Sequence, residues 1–171
     1  KERISEILEK LNDRSHPSDC LVFYRPSFGR GEEAEFGEFD AILATPSSVY
    51  LIESKWDNFS ENESDEVVLD GEQVLRHKIF SWYYVNWDIR QYPEWEKFVD
   101  ALQGDFVRNF PDKKIAPPES LLAQNLEFVL RKLKNHFEDS SYTYKTPENI
   151  LIYFYDGNKS KGIEKVISGD V

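Results

Sequence analysis

The chain has 171 residues, 40% of them hydrophobic and 15% aromatic, with a formal net charge of −11. That length and apolar content suit a single domain, residues 1–171, with a core of its own. No apolar run exceeds about six residues against the roughly 20 of a membrane-spanning helix. The first residues lack the apolar stretch of a signal peptide, and the lone Cys20 excludes an internal disulfide, so a soluble protein of the reducing cytoplasm is expected.

In chain order, Ile4, Ile7, Leu8 and Leu11 fall on one face of a helix over Glu2 to Leu11. Cys20 to Tyr24 reads as a strand. Two strands follow, Gly37 to Leu43 and Val49 to Lys55, joined by Thr45-Pro46-Ser47-Ser48, where Pro46 suits the second position of a β-turn. Asp70-Gly71 precedes a helix from Glu72 to about Trp87, striped by Leu75, Ile79, Trp82 and Tyr83. Pro93 to Asn109 is a third helix with Pro93 in its first turn. Ser120 to Phe137 is a fourth, with Leu122, Leu126, Val129, Leu130 and Leu133 on one side. Asn149 to Tyr155 is a continuous apolar strand, and Gly162 to Ser168 reads as one more. His16, His77 and His136 are scattered and the cysteine is single, which excludes a cysteine-rich zinc site; Gly29-Arg30-Gly31 lacks the further glycine and lysine of a phosphate-binding loop.

The chemistry gathers on the hairpin. With its turn centred between Pro46 and Ser47, cross-strand partners have residue numbers summing to 93, so Asp40 faces Glu53 and Glu38 faces Lys55. Alternation then puts all four side chains on one face. Like charges directly opposite each other destabilise a strand pair, and here they close runs apolar enough to be buried. Something has to compensate, and a divalent cation with oxygen ligands is the simplest candidate.

Asp40, the loop, and then Glu53-Ser54-Lys55, the only Glu-x-Lys in the chain, resemble the PD-(D/E)xK phosphodiesterase superfamily of restriction-endonuclease-like nucleases. Gly37-Glu38-Phe39-Asp40 is similar to the first half of the motif in small stand-alone members. The resemblance implies an α/β fold with an α-β-β-β-α-β core, a mixed central sheet flanked by helices, covering roughly residues 2–87 and 149–155. Residues 93–138 would then be a helical insertion. It implies Mg²⁺ or Mn²⁺ held by Asp40, Glu53 and the backbone carbonyl of Ser54, with Lys55 orienting the attacking water or stabilising charge on the phosphate. Polar residues on the second helix line the site in such proteins, which brings in Gln73, with Arg76 and His77 beside it, and an extra carboxylate from the first helix would be Glu6 or Glu9. For those two a surface role is the plainer reading. Glu38 is either a further ligand or a partner of Lys55.

Charge resists the simplest form of this reading, because DNA-binding surfaces rely on clustered Lys and Arg. Residues 31–70 hold twelve acids and one base, which accounts for the whole net charge of −11. Part of that excess could attract metal; Glu61, Glu63, Asp65 and Glu66 read as a solvated loop. The best basic cluster is Lys113, Lys114, Arg131, Lys132 and Lys134 in the insertion, a surface for DNA or simply a solvated helix face. The expected partner is DNA, bound weakly by the chain alone, with a homodimer or a basic protein as a further partner. The rival is a non-catalytic member of the same fold acting as an acidic protein-interaction module. Trp82, Tyr83, Tyr84 and Trp87 suit base stacking or, more commonly, a core.

Overall fold

The computed structural model describes residues 2–28, 30–31, 34–35, 37–57, 69, 71–136, 146–155 and 163–169. The acidic loop residues Glu61, Glu63, Asp65 and Glu66 lie outside them. The elements are α1 (Glu2–Lys10), β1 (Leu21–Tyr24), β2 (Arg30–Gly31), β3 (Ala34–Glu35), β4 (Ala41–Ala44), β5 (Val49–Asp57), α2 (Gly71–Asn86), α3 (Trp95–Asn109), α4 (Leu121–His136), β6 (Glu148–Tyr155) and β7 (Ile163–Gly169). Hydrophobic spacing places the four helices and most of the main strands to within a residue or two, but the first hairpin strand, expected from Gly37, begins only at Ala41. Pro93 is the exception among helix starts, since α3 begins at Trp95 after Glu94 in extended backbone. The short pair β2 and β3 has no apolar pattern that could have announced it.

Five strands form one mixed sheet in the order β1-β4-β5-β6-β7. β4 pairs antiparallel with β1 and with β5, β6 runs parallel to β5, and β7 is antiparallel to β6. The hairpin register is the expected one: Ala44 opposes Val49, and the ladder runs to Ala41 opposite Ile52. α2, α3 and α4 all lie in the connection between the parallel strands β5 and β6, as a parallel pair requires a long crossover.

Alternation along β4 and β5 divides two hydrophobic clusters. Ile42, Ala44, Val49 and Leu51 face a large one with α2, α3 and α4, while Leu43, Tyr50 and Ile52 join Ile150 and Ile152 under α1. The sheet is thus covered on both faces, the mixed α/β architecture that the alternating elements predict. Trp82, Tyr83, Tyr84 and Trp87 are all buried in the larger cluster, so these aromatics are core and not a stacking platform. Trp82 and Tyr83 pack edge-on at 5.3 Å between centroids, and each also meets Phe98 and Phe106 of α3. No helix among the described residues is long and apolar enough to cross a membrane.

A single carboxylate ties α1 to the hairpin turn. Asp13 Oδ2 accepts from Thr45 Oγ1 at 2.8 Å, Ser47 Oγ at 2.6 Å and the Tyr50 hydroxyl at 2.9 Å, and Oδ1 accepts from the Ser15 N–H at 2.8 Å. Burial pushes this carboxyl up, but the bonds from Ser15, Ser47 and Thr45 outweigh it and hold Asp13 well below the usual carboxylate range. A depressed folded-state value means that the unfolded chain binds the proton more readily. The stabilisation is therefore complete above the ordinary value of 3.8 and drains away as the pH falls below it. Asp13→Ala is expected to cost about 1–3 kcal/mol at neutral pH by stranding the hydroxyls of Thr45 and Tyr50. Urea denaturation of the two proteins should show that gap narrowing between about pH 4 and pH 2.

Candidate functional site

The hairpin's open end is where the ladder stops. β4 begins only at Ala41, and Asp40 is a bend, so neither Asp40 and Glu53 nor Glu38 and Lys55 form a ladder pair. Upstream of the bend the chain pairs outward: Glu38 bridges Ser27, and Arg25 N–H donates to the Asp40 carbonyl at 3.0 Å. Phe39, not Asp40, turns into the large core, fully buried against Phe28, Phe80 and His77. The expected single face of four charged side chains is corrected accordingly. A buried phenylalanine beside a bend outweighs strict alternation, because leaving that ring in water would forfeit about 2 kcal/mol.

Asp40 instead reaches the residue beside Glu53. Its Oδ2 accepts from both the backbone N–H and the hydroxyl of Ser54, each at 2.7 Å. Glu38 does not lie across a ladder from Lys55; its Oε2 forms an ion pair with Arg25 Nη2 at 3.2 Å. Lys55 lies two residues beyond Glu53 on β5, on the same face and half-buried.

Glu53 has only 3% of its surface exposed. It faces the first turns of α2, where Gln73, Arg76 and His77 share a side at i, i+3 and i+4. Arg76 Nη1 donates to Oε1 at 2.8 Å, His77 Nε2 lies 3.3 Å from the same oxygen, and Gln73 Nε2 stands 3.4 Å from Oε2. His77 is fully buried, with Nδ1 2.7 Å from Asn149 Oδ1 on β6. The compensation that the sequence assigns to a cation is thus supplied to Glu53 by protein groups.

Arg76 is itself clamped. Nη1 also donates to the Glu38 carbonyl at 2.6 Å, and the guanidinium carbon lies 5.9 Å from the centre of the Phe39 ring. Gly37 has φ +68°, and a Cβ there would meet Arg76 Nε at 2.9 Å. Glycine is needed at that position both for its backbone and for the space. Arg76 and Asn149 are the partners of the site that the sequence motif did not single out; Arg76 carried a signal in its helical spacing from Gln73, Asn149 none.

The remaining candidates are not brought in. Glu6 pairs with Arg3 at 3.0 Å and Glu9 is exposed, both on α1, across the sheet from α2. Of the basic cluster, Lys114 and Lys132 remain exposed, while packing and pairing take up Lys134 and Arg131. Lys134 is 5% exposed and donates to the Trp87 carbonyl, beside the rings of Tyr84 and Trp87. Arg131 is paired with Glu127 at 2.5 Å, and Lys132 lies over Phe128. Burial lowers the Lys134 amine to about 8, against a smaller upward pull from Asp88.

Two outcomes follow from these contacts. Arg76→Met should destabilise the fold by about 3–5 kcal/mol, because it leaves a buried carboxylate without its cation, and adding Glu53→Gln should recover much of the loss; denaturation midpoints of the double-mutant cycle measure this. For Lys134, the unfolded chain holds its proton longer than the folded one, so the wild type should gain stability relative to Lys134→Met as the pH rises from about 8 to about 10. Thermal melts across that range provide the check.

The chain matches no family model, no curated protein and no solved structure, so what its site does has to be argued from the groups it brings together.

Proposed function

We propose that the chain is a metal-dependent nuclease of the PD-(D/E)xK kind, hydrolysing phosphodiester bonds of DNA with Mg²⁺ or Mn²⁺. The observation that carries this reading is the meeting, at the open end of one hairpin, of Asp40 and Glu53-Ser54-Lys55, with Gln73 of α2 reaching the same glutamate. Further support comes from connectivity. With the short pair β2–β3 set aside, the succession α1, β1, β4, β5, α2, β6, with β6 parallel to β5 and with α3 and α4 between α2 and β6, is compatible with the α-β-β-β-α-β order that the resemblance implies.

The donor set suits a hard divalent cation. Asp40 and Glu53 each keep an oxygen outside their strongest hydrogen bonds, Oδ1 and Oε2. The N–H and C=O of a strand residue point to the same edge, so the Ser54 carbonyl faces Asp40's side of β5, as its N–H does. Such a cation, when bound, makes a coordinated water acidic enough to attack and screens the phosphate oxygens. Lys55, on Glu53's face of the strand, orients that water or meets the charge that grows on the phosphate. Glu38 is tied to Arg25, which makes it a support of the site's rim and not a ligand.

The ionic balance agrees with weak intrinsic DNA affinity. With a net charge of −11, and with Lys134 buried and Arg131 paired on α4, phosphate contacts draw on the metal, on Lys55 and Arg25, on exposed lysines such as Lys114 and Lys132, or on a second subunit or basic partner. One observation favours a second reading. Arg76 already neutralises Glu53, with His77 beside the same oxygen, as in a non-catalytic relative that serves as an acidic interaction module.

Incubation of the protein with plasmid and linear DNA, with and without Mg²⁺ or Mn²⁺, separates the two. Cleavage should require the metal, and Lys55→Ala should slow it by at least about 100-fold, the scale of a lost proton-handling group. Mn²⁺ should still raise the melting temperature of Lys55→Ala by linkage. Absence of cleavage together with a wild type whose melting is indifferent to Mn²⁺ would leave the non-catalytic reading.

A further inference from the structure

We infer that the chain pairs with a second copy of itself through the outer edge of β1, which joins the two sheets into one. This pairing is independent of the reaction proposed above. β1 is the end strand of the five-stranded sheet, and the hydrogen-bond phase of the hairpin fixes which of its backbone groups point outward. The Thr45 N–H donates to the Ser48 carbonyl at 2.9 Å, so the odd-numbered residues of β4 bond across to β5 and the even-numbered ones to β1. Arg25 keeps the same phase, with its N–H on the Asp40 carbonyl at 3.0 Å. Leu21 and Phe23, opposite Ala44 and Ile42, therefore spend their backbone groups on β4. The N–H and C=O of Val22 and Tyr24 point away from the sheet.

The side chains of this edge are apolar and stand in water. Val22 and Tyr24 lie on the α1 face, opposite Leu43 and Ala41, and are 42% and 81% exposed. Natural edge strands are commonly blunted by a charge, a proline or a bulge, yet Leu21-Val22-Phe23-Tyr24 contains neither a charge nor a proline and pairs with β4 in unbroken register. On the other face α4 runs alongside: Asn125 Nδ2 donates to the Ser27 carbonyl at 3.0 Å and His136 Nε2 to the Asp19 carbonyl at 2.9 Å, one contact beyond each end of the strand. Phe128 and Lys132 share that stripe of α4, and Phe128 is 57% exposed.

A second copy of the edge complements the first. With a two-fold axis through Phe23, Val22 of each chain stands opposite Tyr24 of the other, an antiparallel pair that exchanges both backbone hydrogen bonds, and the axis generates it twice. Each pair sets a β-branched side chain against an aromatic ring, a favourable cross-strand match. The antiparallel arrangement also brings Asp19, just before the strand, toward Arg25 of the second copy, just after it. Charge permits the approach, since residues 19–28 carry one acid and one base while the whole excess of −11 sits in residues 31–70. Phe128, on the stripe beside β1, is placed to gain cover in the same pair.

Sedimentation equilibrium of the full chain across the micromolar range tests the pairing. Wild type should approach twice the monomer mass as its concentration rises. Val22→Pro removes an outward N–H and spares the bonds between β1 and β4, and Tyr24→Lys puts a charge on the edge without touching the backbone. Each should weaken association by at least about tenfold, with the circular dichroism of wild type; should Val22→Pro fail to fold, Tyr24→Lys decides. Val107→Lys, at a similarly exposed apolar position on α3, should leave the dimer intact. A wild type that stays monomeric throughout would leave the edge to a strand of some other protein and overturn the inference. A dimer unaffected by Tyr24→Lys would overturn it as well, because another surface would then hold the copies together.

Discussion

Burying an ionised carboxylate costs several kcal/mol unless donors surround it, and Glu53 is almost fully enclosed between β5 and α2. The arrangement around it meets that cost with Arg76, His77 and Gln73, three side chains from consecutive turns of one helix. Much else in the site exists to hold these donors. Asn149 braces His77 from β6, Gly37 makes room for the guanidinium, and the Glu38 carbonyl fixes its tip. The hairpin, the crossover helix and the parallel strand are thus locked together through one glutamate.

That lock explains the division of labour along α2. Its first turns are polar where Gln73, Arg76 and His77 face Glu53 at the end of the β4–β5 ladder. From Ile79 onward the same helix is aromatic and packs in the large core with residues of α3 and α4. Polar and apolar halves meet at Phe39 and His77, whose rings lie 5.0 Å apart. A bend at Asp40 makes this junction, sending Phe39 inward and leaving Asp40 to grip Ser54.

The electrostatics of the molecule are equally local. Equal numbers of acids and bases occupy the chain outside residues 31–70, and the excess of acid is confined to the stretch that holds the hairpin. Inside the site, however, Asp40, Glu53 and Glu38 are each engaged by donors, with Arg25 and Arg76 supplying positive charge. The site is nearly balanced in charge and carries both signs within a few residues of one another. On α4, Lys134 is bonded to the Trp87 carbonyl and Arg131 pairs with Glu127, which leaves Lys132 exposed.

Local pattern alone carried the elements and the hairpin register. Apolar residues at helical or alternating spacing can be satisfied in only one way over ten residues, and the turn at Thr45-Pro46-Ser47-Ser48 leaves one pairing for the runs on either side. Asp40, Glu53, Lys55 and Gln73 were legible as a group for the same reason, three of them at fixed offsets on the hairpin and the fourth at the start of the next helix. Their partners were not. That Asp40 would turn to Ser54, that Glu53 would take Arg76 and His77, and that Asn149, 96 residues further along, would stand behind them are long-range matters. They depend on which ring fills the core at a bend and on which side chain is left closest to a buried charge, quantities that come into being only when sheet and helix close on each other.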